Sequence, residues 1–132
     1  MQDYKSLKVW EKAHQLVLDI YKATNNFPKE ELFGLVSQLR RASVSIPTNI
    51  AEGSSRQSKK DFIRFLEIAF GSAKEVEYEL LLSNDLKYFQ VDIFTKLDNQ
   101  IKEIKKMLVG LIQSIENKKW FITAICILLT AN

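Results

Sequence analysis

Gln38-Leu39-Arg40-Arg41-Ala42-Ser43-Val44-Ser45-Ile46-Pro47-Thr48-Asn49-Ile50-Ala51-Glu52-Gly53 is the stretch whose reading decides the fold. Leu35, Leu39, Ala42, Ile46 and Ile50 keep helical spacing on both sides of Pro47, so one helix direction runs through a residue that opposes it. Proline has no amide hydrogen, and its ring crowds the carbonyl four residues back, here that of Ser43. A kink is expected at this point, with Ser45, Thr48 and Asn49 placed to supply hydrogen bonds around it.

Outward from that segment, three more helices are legible. Leu7, Trp10, Ala13 or His14, Val17, and Ile20 or Tyr21 recur every three or four residues, which predicts an amphipathic helix from Leu7 to about Thr24. Asn25-Asn26 ends it, and Pro28 suits the start of the second helix, where the first amides have no internal partner. Gly53-Ser54-Ser55-Arg56-Gln57 is a small, polar, aperiodic connector. Ser58 and Asp61 then form a shortened capping box for a third helix, expected from Lys59 to near Ser83.

That third helix shows two apolar stripes, one through Phe62, Phe65, Ala69, Val76 and Leu80, the other through Ile63, Leu66, Phe70, Ala73 and Leu81. A single bundle core needs one such face, so the surplus is read as a surface for subunit contact. Gly71 sits among the small residues Ala69, Ser72 and Ala73, where a missing side chain would let another backbone come close. Tyr88 and Phe89 are available to plug the bundle end. The fourth helix, expected from Asp92, carries Phe94, Leu97, Ile101, Ile104, Leu108, Leu111 and Ile115 in alternating steps of three and four. That heptad seam is the spacing of an up-and-down bundle. The fold class read from these elements is all-α, an antiparallel four-helix bundle over residues 1–119 with an apolar tail over 120–132.

The tail, Trp120 to Thr130, follows a polar break at Glu116 to Lys119 and is shorter than the roughly 20 residues of a membrane span. Three readings fit it: docking in an apolar groove, contact with a membrane interface, or an incidental extension. The lack of a clean charged face weighs against the membrane.

The central block carries a resemblance. Gln38-Leu39-Arg40-Arg41-Ala42, Ser45-Ile46-Pro47 and Asn49-Ile50-Ala51-Glu52-Gly53 resemble the signature of the four-helix-bundle family encoded in intervening sequences of bacterial 23S ribosomal RNA genes. Trp10 with Ala13, Phe27-Pro28 with Glu31, and Phe65-Leu66 with Ala69, Gly71, Ser72 and Glu75 extend it over roughly residues 4 to 116. The accessory variability determinant of diversity-generating retroelements is similar to that family. The resemblance implies a homopentameric barrel, with a reverse transcriptase or nucleic acid as partners by analogy with the retroelement relative.

Composition bounds the chemistry. The 132 residues suit one domain, and a net charge of +3 from 19 basic and 16 acidic side chains is mild. Cys126 is the only cysteine and His14 the only histidine, so no internal disulfide or zinc set can form, and a reducing, cytoplasmic setting is expected. Neither a metal nor another cofactor is expected, and Ser43, Ser45 and Ser72 have no base beside them to become nucleophiles. His14 is expected to be packed at the buried edge of the first helix, and Glu52 and Glu75 to pair with Arg40 or Arg41. No enzyme is expected.

Two basic groups remain. Arg40, Arg41, Arg56, Lys59, Lys60 and Arg64 surround the second helix and its connector, and Lys102, Lys105, Lys106, Lys118 and Lys119 lie on the wet side of the fourth helix and beyond. Repeated around a ring, these faces would attract RNA or DNA by counterion release. The other reading is an adaptor whose basic face meets an acidic protein.

Overall fold

The computed structural model describes residues 3–130, with side chains for 3–117 and 127–129. A 3-10 turn at Tyr4–Ser6, capped by Asp3, leads into α1 (Lys8–Thr24). Next come a 3-10 turn at Lys29–Glu31, a π-turn at Leu32–Val36, and α2 (Ser37–Ser54). α3 (Lys59–Asp85) and α4 (Val91–Thr130) complete the chain. Each helix packs antiparallel to the one before it, and α4 also closes against α1.

The core is a column of aliphatic side chains. Leu16 and Ile20 of α1, Leu39, Ile46 and Ile50 of α2, Leu66 and Leu80 of α3, and Ile101, Ile104 and Leu108 of α4 have no exposed surface. The α4 seam is as its spacing predicts, with Phe94, Leu111 and Ile115 half-buried at its ends. The α1 stripe is displaced by one position. Val9, Ala13, Leu16, Ile20 and Thr24 are buried, while Trp10 and Val17 flank the core, because α1 meets both α2 and α4 and the wide indole sits at the edge of that cleft.

The ends of the helices are held as the sequence indicates. The Ser58 hydroxyl accepts from the Asp61 amide at 3.1 Å and caps α3. Phe27 meets Tyr88 and Phe89 with ring centroids 5.2 and 5.0 Å apart, which closes the end where α1 stops and α4 starts. Asp92 is not the cap of α4 but lies in its first turn, where its charge suits the helix dipole.

The second helical segment differs from its expected form at its start. It does not run unbroken from Pro28, because Gly34 adopts φ −109° and ψ −109° within a π-turn that precedes the regular helix. Pro47 lies inside α2, which is helical on both sides of it. Two side chains reinforce the carbonyls just before the proline: Thr48 Oγ1 donates to Val44 O at 2.8 Å and Asn49 Nδ2 to Ser45 O at 2.8 Å. Asn49 Nδ2 also donates to the Ser45 hydroxyl, which accepts in addition from Ser72 Oγ at 2.9 Å and so ties α2 to α3.

Packing also corrects the reading of the two α3 stripes. Leu66 and Ala73 of the second stripe are buried inside the single chain, and Phe70 is partly buried against the core. α3 is flanked by both α2 and α4, so it buries a wider arc than a helix with one neighbour. The break at Glu116 to Lys119 is helical, and α4 passes through it to Thr130. α4 has 40 residues against 27 in α3, so at 1.5 Å per residue it projects roughly 20 Å beyond the bundle. Ile127, Leu128 and Leu129 are exposed there.

Candidate nucleic-acid interface

The antiparallel order puts the start of α1, the α2–α3 connector and the start of α3 at one end of the bundle. Gly53 marks how closely α2 and α3 meet there. A Cβ on it would stand 2.8 Å from the Phe65 Cβ and 3.4 Å from the Phe62 carbonyl oxygen, so only glycine fits. Beside this contact, the guanidinium groups of Arg56 and Arg64 each lie 4.7 Å from the centre of the Phe65 ring. Arg64 also reaches Asp61 at 3.8 Å, and Lys59 and Lys60 are exposed in the first turn of α3. Among the described residues, neither lysine has an ion-pair partner.

Lys5 and Lys8 join this end from the 3-10 turn and the first residue of α1, both exposed. The signal that finds them is topological: in an antiparallel bundle the first residue of α1 is level with the last turn of α2. Asp3 and Glu52 occupy the same end, so the surface is positive in balance rather than purely basic.

The remaining predicted cations are committed elsewhere. Arg40 clamps the last turn of α1: Nε donates to Thr24 Oγ1 at 3.0 Å, and Nη2 to Asn25 Oδ1 at 3.1 Å and to the Tyr21 carbonyl at 3.3 Å. Its guanidinium also lies 4.6 Å from the Tyr21 ring centre. This arrangement supplies an orphan carbonyl at a helix end with a cationic donor. Arg41 pairs with Glu75 at 2.8 Å, on the surface rather than buried. Glu52 does not join either arginine.

On α4, Lys102 binds Asp98 one turn back at 2.6 Å, and that hydrogen bond, with the carboxylate charge, holds its ammonium above the ordinary lysine range. Lys105 binds Glu77 of α3 at 2.9 Å in a half-buried position beside Phe70. Lys106 alone of this group is exposed without an ion pair among the described residues. The second basic face is therefore largely neutralised within the chain.

Among the described residues, Glu79 is the one ionisable side chain in the core, only 4 % exposed. Burial, followed by a hydrogen bond to Glu75 and the Glu75 charge, pushes it up to about 7, while Arg41 pulls the other way. His14 is not packed at a buried edge. It is exposed and stacks on Trp10, the ring centroids 5.1 Å apart and the planes nearly parallel. Beside that pair, Trp10 and Val17 of α1 with Val44, Pro47 and Ala51 of α2 line an open groove of about 410 Å³, with Glu52 at its rim. No cluster of metal-ligating side chains occurs among the described residues.

A family model described as "23S rRNA-intervening sequence protein" matches residues 5–110. The chain belongs to that family. A solved structure from this group, a protein of unknown function of the S23 ribosomal protein family from Bacteroides thetaiotaomicron, is 33 % identical with a TM-score of 0.72. The match covers 79 % of this chain and 97 % of that one. No curated protein matches. The 23S rRNA-intervening sequence match takes in the whole α2 segment and Gly53, whereas the end of α4 lies outside it. Among the described residues, no helix is long and apolar enough to cross a membrane.

Proposed function

We propose that this chain is a non-catalytic, cytoplasmic, ring-forming homo-oligomer, a pentamer by the family resemblance, that binds structured RNA or DNA through phosphates and scaffolds a ribonucleoprotein. The observation that carries the reading is the segregation of cations. Arg40, Lys102 and Lys105 are consumed by contacts within the chain, whereas Arg56, Lys59, Lys60 and Arg64 gather at one end and face Asp61. A rotation axis parallel to the bundle would repeat that end on one rim of the ring, and a circle of such patches suits a polyanion. Recognition is led by charge and shape, since the Trp10 and His14 rings stack on each other in the groove between α1 and α2.

The test is anisotropy with a labelled RNA hairpin and a DNA duplex of equal length at 50 mM salt. Neutralising Lys59 and Lys60 by glutamine weakens binding at least tenfold, and neutralising Lys102 and Lys105 changes it less than twofold. Equal effects of the two pairs would overturn the assignment. A partner recovered on the purified protein that persists after nuclease digestion would assign the adaptor role, with an acidic protein such as a reverse transcriptase accessory surface in place of nucleic acid.

A further inference from the structure

α3 carries an exposed ridge whose apolar members, Ile68, Gly71 and Tyr78, have no evident role within the chain. Arg64, Ile68, Gly71, Glu75 and Tyr78 follow one another in steps of four and three, so they share one face. Ile68 is 43 % and Tyr78 61 % exposed. A Cβ on Gly71 would meet nothing within 4 Å, although glycine here weakens the helix by about 1 kcal/mol relative to alanine. The space it leaves is useful only to something outside the chain.

The groove between α1 and α2 is the complementary feature. Its floor is apolar, and Glu52 at its rim has no ion-pair partner among the described residues. The two surfaces also match in height along the bundle. Gly53 abuts Phe65, Ser45 binds Ser72 and Arg41 binds Glu75, so Glu52 is level with Leu66, about 3 Å along the axis from Arg64 and within reach of its long side chain, Thr48 is level with Ala69 beside Ile68, and Pro47 with Phe70 beside Gly71. A rotation about an axis parallel to the bundle leaves heights unchanged. It therefore sets the Arg64 guanidinium, loosely held at 3.8 Å by Asp61, beside Glu52, and the Ile68–Gly71 ridge beside the apolar groove.

The geometry points to a head-to-tail contact in which the α3 ridge of one copy seats in the α1–α2 groove of the next. The occupant of the groove is thus a second copy of this chain, received through Ile68 and Gly71 and registered by Arg64 against Glu52. Because the two surfaces lie on different sides of the bundle, the contact is heterologous, the kind that closes into a ring. This inference rests on the oligomer proposed above and adds which surfaces meet.

Two measurements decide it. In a Cys126→Ser background, Ile68→Cys and Thr48→Cys are made as separate single-cysteine proteins, mixed and oxidised. A disulfide joining one of each is expected, and it cannot form within a chain. A band from Ile68→Cys alone and none from the mixture would mean ridge against ridge and overturns the contact. The second variant is Gly71→Leu, followed by light-scattering mass and thermal melting. The leucine meets open space in the monomer, so helicity and folding are retained while the mass falls to that of one chain. An unchanged oligomer mass refutes the interface yet leaves the ring reading intact, whereas a wild-type protein that is itself monomeric refutes both.

Discussion

Replacing Glu79 by glutamine separates the cost of one buried carboxyl from everything else that titrates. Glu79 is 4 % exposed, its Oε2 has no hydrogen-bond partner, and its carboxyl is pushed from an ordinary 4.5 up to about 7 by burial first and by Glu75 second. A group whose pKa is raised on folding contributes its stability in full below the unfolded value and loses it as pH climbs through the folded one. The loss therefore runs from about pH 4.5 to just above 7. The gap is about two and a half pH units, and each is worth about 1.4 kcal/mol, which sets an upper limit of about 3.5 kcal/mol.

Glutamine keeps the shape and the donor toward Glu75 without the charge. The wild type should melt at progressively lower temperature from pH 5 to pH 8, and Glu79→Gln should not follow it down. At pH 8 the variant should melt higher by up to roughly 10 °C, taking a few degrees per kcal/mol for a domain of this size. Circular-dichroism melts of both proteins at pH 5, 6, 7 and 8 give the comparison, in which all other titrating groups cancel. Parallel curves would refute the reasoning, since they would mean that Glu79 ionises at no cost in the fold.

Gly53→Ala should destabilise by about 1–3 kcal/mol, as an added methyl forces α2 away from Phe65, and urea midpoints will show it. Gly53→Ala with no loss would mean that the α2–α3 approach is looser than described. Arg40→Gln removes charged donors from Thr24, Asn25 and the Tyr21 carbonyl and should cost about 1.5–3 kcal/mol while leaving RNA affinity within twofold. A loss of affinity with unchanged stability would return Arg40 to the binding surface. Leu66→Ala, at a position with no exposure, should cost about 2–5 kcal/mol; a cost below 1 would restore the reading of that stripe as a subunit surface.

How much of this was legible depends on whether the relevant interaction is local. The α4 seam, the Ser58 cap and the Gly53–Ser55 connector are set by neighbours along the chain, and the pattern alone locates them. Even the Lys102–Asp98 pair, one helical turn apart, could have been read from spacing. Arg40 could not, because its partners are on α1 and become partners only once α1 and α2 cross. Lys105 with Glu77 is the same case across α3 and α4. Periodicity gives the direction of an apolar face but not how wide an arc its neighbours cover. For that reason the second α3 stripe was read as surplus when Leu66 and Ala73 lie in the core, and the exposed ridge through Ile68, Gly71 and Tyr78 was missed. Around Pro47 the side chains of Thr48 and Asn49 hold the flanking carbonyls, as their types and spacing suggest, whereas the irregular backbone at Gly34 has no such local sign.

The salt dependence of RNA binding tests the central claim most directly. With Arg64 held by carboxylates, one chain presents five cations at its basic end, Lys5, Lys8, Arg56, Lys59 and Lys60, which could give a slope of log affinity on log salt no steeper than about −4.5 for a duplex. Copies that pool their ends on one rim should give a steeper slope with a hairpin long enough to cross from one patch to the next. A slope near zero, or binding that does not respond between 50 and 200 mM salt, would contradict it.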